Sequence, residues 1–231
     1  MVVDTVILAA GMGTRLGRPL PKPLTRLADG RSILHQQLAN VRSVLGEDAP
    51  IMLVVGFKLE QLIEAAPDVA FAYNELYDQT NTSKSLLKAM RLTGDRPVLW
   101  MNGDVVFDPT VLERVLPLIE QERSFVCVNT AKVGDEEVKY TLDDDGAIKE
   151  LSKTVVGGLG EAVGINFVST HDKPSLRRHL CAVDDQDYFE RAMELAIQED
   201  GVRFEPVDIS DLFAVEVDIE EDLDVANSHL G

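Results

Sequence analysis

The sequence predicts an α/β fold: a Rossmann-like three-layer arrangement with a mostly parallel central sheet and a small β-hairpin subregion. Two observations carry that expectation. Strand-length apolar runs alternate with amphipathic segments through the first half of the chain, and the runs at 5–9, 51–55 and 98–101 each stop within two residues at a glycine (Gly11, Gly56, Gly103). Such runs are apolar on both faces, as buried parallel strands are, and the alternation implies right-handed βαβ crossovers. In the second half, Asp143-Asp-Asp-Gly146 separates two short strand-like segments, the mark of a hairpin.

The elements follow in order. After the strand at 5–9, Ser32 caps a helix whose apolar stripe is Ile33, Leu34, Leu38, Val41 and Leu45, with Gly46 as its stop. A strand at 51–55, a short helix at 59–66, a strand at 69–73, a helix at 83–91 and a strand at 98–101 complete the alternating half. Then come a helix at 110–121, a strand at 125–130, the hairpin strands 138–142 and 148–151, a strand at 161–169 and a helix at 187–199. Segments 204–209 and 213–217 read as a strand pair, and a closing helix begins after Asp218. No linker, repeat or low-complexity run interrupts the chain, so residues 1–231 are expected to form a single domain; the glycines at 157, 158 and 160 read as a loop.

Composition narrows the function. With 22 basic and 40 acidic residues the formal charge is −18, which argues against nucleic-acid or anionic-membrane partners. Two distant cysteines, Cys127 and Cys181, form no disulfide framework, and no signal-peptide pattern or run of roughly 20 apolar residues occurs; a cytoplasmic location is expected. Four scattered histidines show no metal-ligand spacing. The charge is unevenly placed. Residues 5–28 hold four cations (Arg15, Arg18, Lys22, Arg26) and no acid, whereas residues 184–231 hold sixteen acids and two cations.

The cationic stretch coincides with a motif. Leu8-Ala-Ala-Gly-Met-Gly-Thr-Arg15 follows the first strand, and Pro21-Lys22-Pro23-Leu24 comes six residues on. Glycines after a buried strand let backbone N–H groups approach phosphate oxygens, and Arg15 and Lys22 add fixed charge for a polyphosphate. Prolines 19, 21 and 23 stiffen the segment that presents Lys22. A Walker loop is excluded because no Gly-Lys-Ser/Thr occurs. A dinucleotide fingerprint is excluded because Leu16 stands where its last glycine belongs and the second strand ends in Gly56 rather than an acid.

This two-part motif resembles the signature of the sugar-phosphate and alditol/choline-phosphate nucleotidylyltransferases, whose fold is of the nucleotide-diphospho-sugar transferase type. Further marks follow in family order. Asn102-Gly103-Asp104 looks like the family's Mg²⁺-binding aspartate, and Asp218 in Glu216-Val217-Asp218 looks like its C-terminal metal aspartate. Lys153 occupies the place of a second phosphate-binding lysine, although this chain carries Leu151-Ser152-Lys153 instead of the Glu-Lys-Pro form of many sugar enzymes. The resemblance therefore implies Arg15, Lys22 and Lys153 as catalytic cations, with Asp104 and Asp218 on Mg²⁺. It implies that Leu8, Ala9, Ala10, Gly11, Gly13 and Thr14, with Gln79, Asn81 and Ser83 in the polar loop before the third helix, bind the nucleotide. Read one at a time, Asp218 is equally explained as a helix N-cap, Asp104 less well so, and Ser83 as a turn or cap residue.

Tyr73-Asn-Glu-Leu-Tyr77 with Asn81-Thr-Ser83 looks like the pattern of choline-phosphate and phosphonate cytidylyltransferases, whose acceptor is small and often cationic. Tyr188, Asp185 and Glu161 are the candidate acceptor contacts, while Phe189 reads as core. The expected activity is Mg²⁺-dependent transfer of CMP from CTP to a small phosphoester or phosphonate such as phosphocholine, with release of pyrophosphate. A sugar-1-phosphate uridylyl-, guanylyl- or thymidylyltransferase shares every catalytic mark, and a nucleotide-sensing regulatory subunit is the non-enzymatic alternative.

Overall fold

The first apolar run forms β1 (Asp4–Ala9), buried along its whole length. The protein is described here by a computed structural model that covers residues 2–13, 16, 17, 19–131, 134 and 137–231. α1 (Ile33–Leu45) follows, its first turn capped by the Ser32 side chain, which accepts the His35 N–H, and its end marked by Gly46. β2 (Ile51–Val55), α2 (Leu59–Ala65), β3 (Ala70–Tyr73), α3 (Thr82–Met90) and β4 (Val98–Asn102) then repeat the alternation. β1 pairs in parallel with β2 and with β4, and β2 in parallel with β3.

The second half inserts an antiparallel strand. β5 (Val105–Phe107), α4 (Pro109–Glu120) and β6 (Phe125–Asn129) lead to the hairpin of β7 (Lys139–Leu142) and β8 (Ile148–Ser152). β9 (Glu161–Val168) runs antiparallel between β4 and β6. α5 (Lys173–Ala182), α6 (Phe189–Asp200), β10 (Glu205–Asp208), β11 (Ala214–Glu216) and α7 (Glu220–Leu230) complete the chain. The main sheet has the order β10-β6-β9-β4-β1-β2-β3.

Two departures from the sequence expectation stand beside β5, a short strand that the apolar pattern did not announce. Segments 204–209 and 213–217 do not pair with each other. β10 joins the main sheet parallel to β6, and β11 pairs antiparallel with β5 in a separate two-stranded ribbon. The turn between them, with Leu212 N–H donating to Ile209 O at 2.9 Å, carries the chain from one available edge to another. The second departure is α5, which the periodicity did not announce. Its apolar stripe is little more than Leu176 and Leu180, and it buries Lys173 and His179 alongside them. The Lys173 ammonium is satisfied by the carbonyls of Gly94 (2.8 Å) and Arg96 (2.6 Å), so tertiary hydrogen bonds replace the missing hydrophobic signal.

The sheet is covered on both faces. Leu34, Leu38 and Val41 of α1, Leu62 of α2 and Val111, Leu112 and Val115 of α4 pack on one face with Ile7, Leu53 and Leu99. Leu86 and Met90 of α3, Leu176 and Leu180 of α5, and Phe189 and Met193 of α6 pack on the other with Val6, Val54 and Trp100. Phe189 stands edge-on to the Trp100 ring at 5.7 Å, which makes it core as expected. A third cluster, including Val106, Val217 and Leu223, holds α7 against the ribbon. Among the described residues, no helix is long and apolar enough to cross a membrane.

Candidate active site

α1 and α3 leave the sheet on opposite faces, so β1 and β4 border a crevice at their carboxyl ends, the place where open α/β sheets put ligands. A cleft of about 370 Å³ opens there, within the range of small-ligand sites. Gly103 sets its floor. Its N–H donates to Leu8 O at 2.9 Å, and a Cβ in its place would lie 2.6 Å from that oxygen and 3.1 Å from Pro23 Cγ. Only glycine lets the turn after β4 sit against β1 and the Pro-Lys-Pro segment. Gln37 of α1 fastens the turn from below, donating to Asn102 O and Val105 O at 2.8 Å each.

That close approach brings Lys22 to Asp104. Residues Lys22–Leu24 form a single 3-10 turn started by Pro21. Gly13, at φ +56°, leaves room for the stem of Lys22, since a Cβ there would meet Lys22 Cβ at 2.9 Å. The Lys22 ammonium donates to Asp104 Oδ2 at 2.7 Å and also pairs with Asp218 Oδ1. Burial is the largest single influence on this ammonium and by itself lowers its pKa, but Asp104 and Asp218 together outweigh it and raise the pKa above the usual lysine value. Asp104 is a turn residue leading into β5, not the helix cap that was its alternative reading. Asp218 lies one residue before the cap of α7, Ile219.

A third acid completes the group. Glu216, at the end of β11, places a carboxylate oxygen within 4.8 Å of those of Asp104 and Asp218. Its pKa is raised well above the ordinary glutamate value, first by burial and then by the charges of Asp104 and Asp218. Asp104 Oδ1 is buried and has no hydrogen-bond partner. Three converging carboxylates, one of them with an open oxygen, form a hard, oxygen-only donor set that suits Mg²⁺. The sequence reading assigned Asp218 and passed over Glu216. The available signal was the two-residue spacing, which puts both side chains on one face of an extended segment.

The opposite wall is built by the start of α3, the hairpin and the start of α6. Asn81 caps α3 by accepting the Thr82 N–H at 2.8 Å, and its own N–H donates to Asp185 O at 2.8 Å, which ties the loop before α6 to the cleft. Lys153, at the end of the hairpin, holds its ammonium 4.9 Å from the centroid of the Tyr188 ring. Glu190 in the first turn of α6 also lines the cleft, and burial raises its pKa to about 7.

Most of the residues expected from the sequence are thus brought together. Leu8, Ala9, Ala10, Gly11, Gly13, Lys22, Asn81, Asp104, Lys153, Tyr188 and Asp218 all line the cleft. Thr14 and Arg15 lie outside the described residues. Four others do not line it. Gln79 turns its side chain to Asp78 and offers only its carbonyl to Gln186. Ser83 is fully buried inside the first turn of α3. Asp185 sits at the surface 3.8 Å from Lys84 and contributes backbone only. Glu161 accepts the Gly134 N–H at 3.2 Å beside the hairpin, and the next residue, Ala162, faces the cleft instead. Strand alternation is the reason for that exchange.

Comparison with known proteins shows the family. Residues 5–198 match the model of the MobA-like NTP transferase domain, which is most of the chain. The chain belongs to this family. A CMP-5'-(3-aminopropyl)phosphonate synthase of Streptomyces rubellomurinus is 31% identical over 242 aligned residues, covering 94% of this chain and 37% of that protein. A bifunctional protein GlmU of Burkholderia ambifaria is 38% identical over 159 residues, covering 67% of this chain and 32% of the relative. The chain therefore spans about a third of these relatives' length. In fold, this MobA-like domain resembles a CTP:phosphocholine cytidylyltransferase from Streptococcus pneumoniae with TM-score 0.79, 17% identity and full coverage of both chains. It also resembles a UDP-glucose pyrophosphorylase with TM-score 0.78, 15% identity, and coverage of 100% of this chain and 98% of the other. The Rossmann-like fold expected from the sequence and the nucleotidyltransferase resemblance are both borne out.

Proposed function

We propose that the chain transfers CMP from CTP to a small phosphonate or phosphoester and releases pyrophosphate, with Mg²⁺ held by Asp104, Glu216 and Asp218. The observation that carries this reading is the meeting of Lys22 with those three acids beside the glycine loop at the end of β1. The reaction joins two anions. An acceptor oxygen attacks the α-phosphorus, the bond from that phosphorus to the bridging oxygen breaks, and the electron pair leaves on pyrophosphate. No protein nucleophile is needed, so the protein's task is to neutralise charge and align the reactants. Mg²⁺ bound to the acids supplies neutralisation at the phosphates.

The chain's own residues do the remainder. Lys22 is held rigidly at the cleft floor with its charge secured by two carboxylates, and Gly11 leaves open space where a side chain would obstruct the phosphates. Lys153 and Arg15 supply further cations. Asn81 presents a fixed polar group on the wall that faces β1, and its place in the cleft suits the nucleobase. Similarity to the aminopropylphosphonate synthase over 94% of this chain supports CTP and a small acceptor.

The test is pyrophosphate release from CTP, UTP, GTP, dTTP and ATP, each paired with phosphocholine, 2-aminoethylphosphonate, inositol 1-phosphate and glucose 1-phosphate. Turnover is expected with CTP and the small phosphonate or phosphoester. Pyrophosphate released only with hexose phosphates overturns the reading in favour of nucleotide-sugar synthesis, and none with any pair favours a nucleotide-binding regulatory role.

A further inference from the structure

Glu190 is a wall residue whose chemistry the transfer step leaves unused. It is 7% exposed, and its Oε2 is buried without a hydrogen-bond partner. Among the described residues, the cations of α3 and α6 are engaged elsewhere. Lys84 donates to the carbonyls of Leu180 (3.2 Å) and Val183 (2.5 Å), and Arg191 reaches Glu194 at 3.3 Å. Lys153 stands over the Tyr188 ring and acts on Glu190 only through its charge. A buried carboxyl oxygen with no partner costs free energy, and such groups persist where a ligand completes them.

The kind of ligand follows from the atoms. An open carboxylate oxygen calls for a group that is both cationic and a hydrogen-bond donor. A primary ammonium is both. A quaternary ammonium has no N–H and is held by aromatic faces, yet the exposed ring at this wall, Tyr188, already carries the Lys153 ammonium.

We propose that Glu190 receives the terminal primary ammonium of the acceptor, so that the cleft selects ω-aminoalkyl phosphonates or phosphoesters over quaternary and uncharged counterparts. This rests on the CMP-transfer reading given above. It also replaces Asp185, the acid first expected for this role, whose side chain lies at the surface.

The experiment compares kcat/KM at saturating CTP and Mg²⁺ for 2-aminoethylphosphonate, 3-aminopropylphosphonate, phosphocholine and propylphosphonate. The natural sequence is expected to favour the aminoalkyl acceptors over propylphosphonate by about 100-fold, because rejecting a ligand that lacks the donor leaves a buried acceptor unpaired. They are expected to exceed phosphocholine by about tenfold or more. Glu190→Gln should collapse the ratio of aminoalkyl to propyl acceptor toward one. Glu190→Asp, which keeps the charge one methylene further back, should retain part of that ratio and gives the answer if the glutamine variant fails to fold. Equal losses on all acceptors, with the ratio preserved in both variants, would assign Glu190 a structural role and overturn the proposal. So would a natural protein that uses phosphocholine as readily as the amines. Both results leave CMP transfer standing, whereas pyrophosphate release with hexose 1-phosphates and none of these acceptors overturns CMP transfer and the role of Glu190 together.

Discussion

Lys22→Met removes the ammonium from the acid group while keeping most of the side-chain volume. Lys22 is 11% exposed, Asp104 19% and Asp218 30%, so the variant leaves like charges crowded in a largely buried place. Removing one partner of a buried ion pair costs about 3–5 kcal/mol. Water reaches Asp218, so the cost is discounted to about 2–3 kcal/mol in the metal-free protein. For a domain of this size that is a fall in Tm of about 5–10 °C. Thermal unfolding followed by circular dichroism in EDTA measures it. Mg²⁺ should recover more stability in the variant than in the natural protein, because the ammonium no longer competes for the same oxygens. CMP transfer should nonetheless fall by about 10²–10³, since the lost cation also serves the phosphates. If the variant melts with the natural protein in EDTA and gains no more from Mg²⁺, Lys22 does not hold the acid group together and the reasoning fails.

Gly103→Ala should destabilise the protein by about 1–3 kcal/mol in urea titrations, because the new methyl group meets a backbone oxygen that cannot move alone. Its activity should fall further than its stability implies, as the turn carrying Asp104 shifts. Complete chelation should abolish pyrophosphate release, and Asp104→Asn should lower it by about 10²–10³; activity that survives chelation would remove the metal from the mechanism. The raised pKa of Glu216 means that the folded protein binds its proton more tightly than the unfolded chain does. That stabilisation is fully present below the unfolded glutamate value and is lost as pH rises through the folded one. Tm in EDTA should therefore decline as the pH is raised across that interval, and Mg²⁺ should flatten the decline; a Tm independent of pH would place Glu216 outside the buried acid group.

Local chemistry was legible in the sequence wherever contiguous residues carry it. The apolar run of β1 had to be buried on both faces, Ser32 and Gly46 bounded α1, and the acid-and-glycine turn joined β7 to β8. The Gly-x-Gly loop and Asp104 were legible for a related reason, since each lies just beyond a strand end, and Lys22 was legible from the prolines on either side of it. α5 escaped because its stability comes from Lys173 reaching distant carbonyls and not from an apolar period. Gln79, Ser83 and Asp185 lie near the cleft in the chain, but burial of Ser83 in the first turn of α3 and surface pairing of Gln79 and Asp185 turned their side chains away.

What the sequence determined by itself is therefore the alternating α/β framework and the cationic loop that a polyanion would meet. Tertiary structure alone decided that β9 enters antiparallel between β4 and β6, and that β11 leaves β10 to pair with β5. Those pairings bring Glu216 to Asp104 and Asp218, and the packing of α6 on Trp100 sets Glu190 in the opposite wall. Backbone hydrogen bonds are nearly equivalent from one strand edge to the next, so the choice among edges falls to the burial of whole sheet faces. No short stretch of sequence carries that sum.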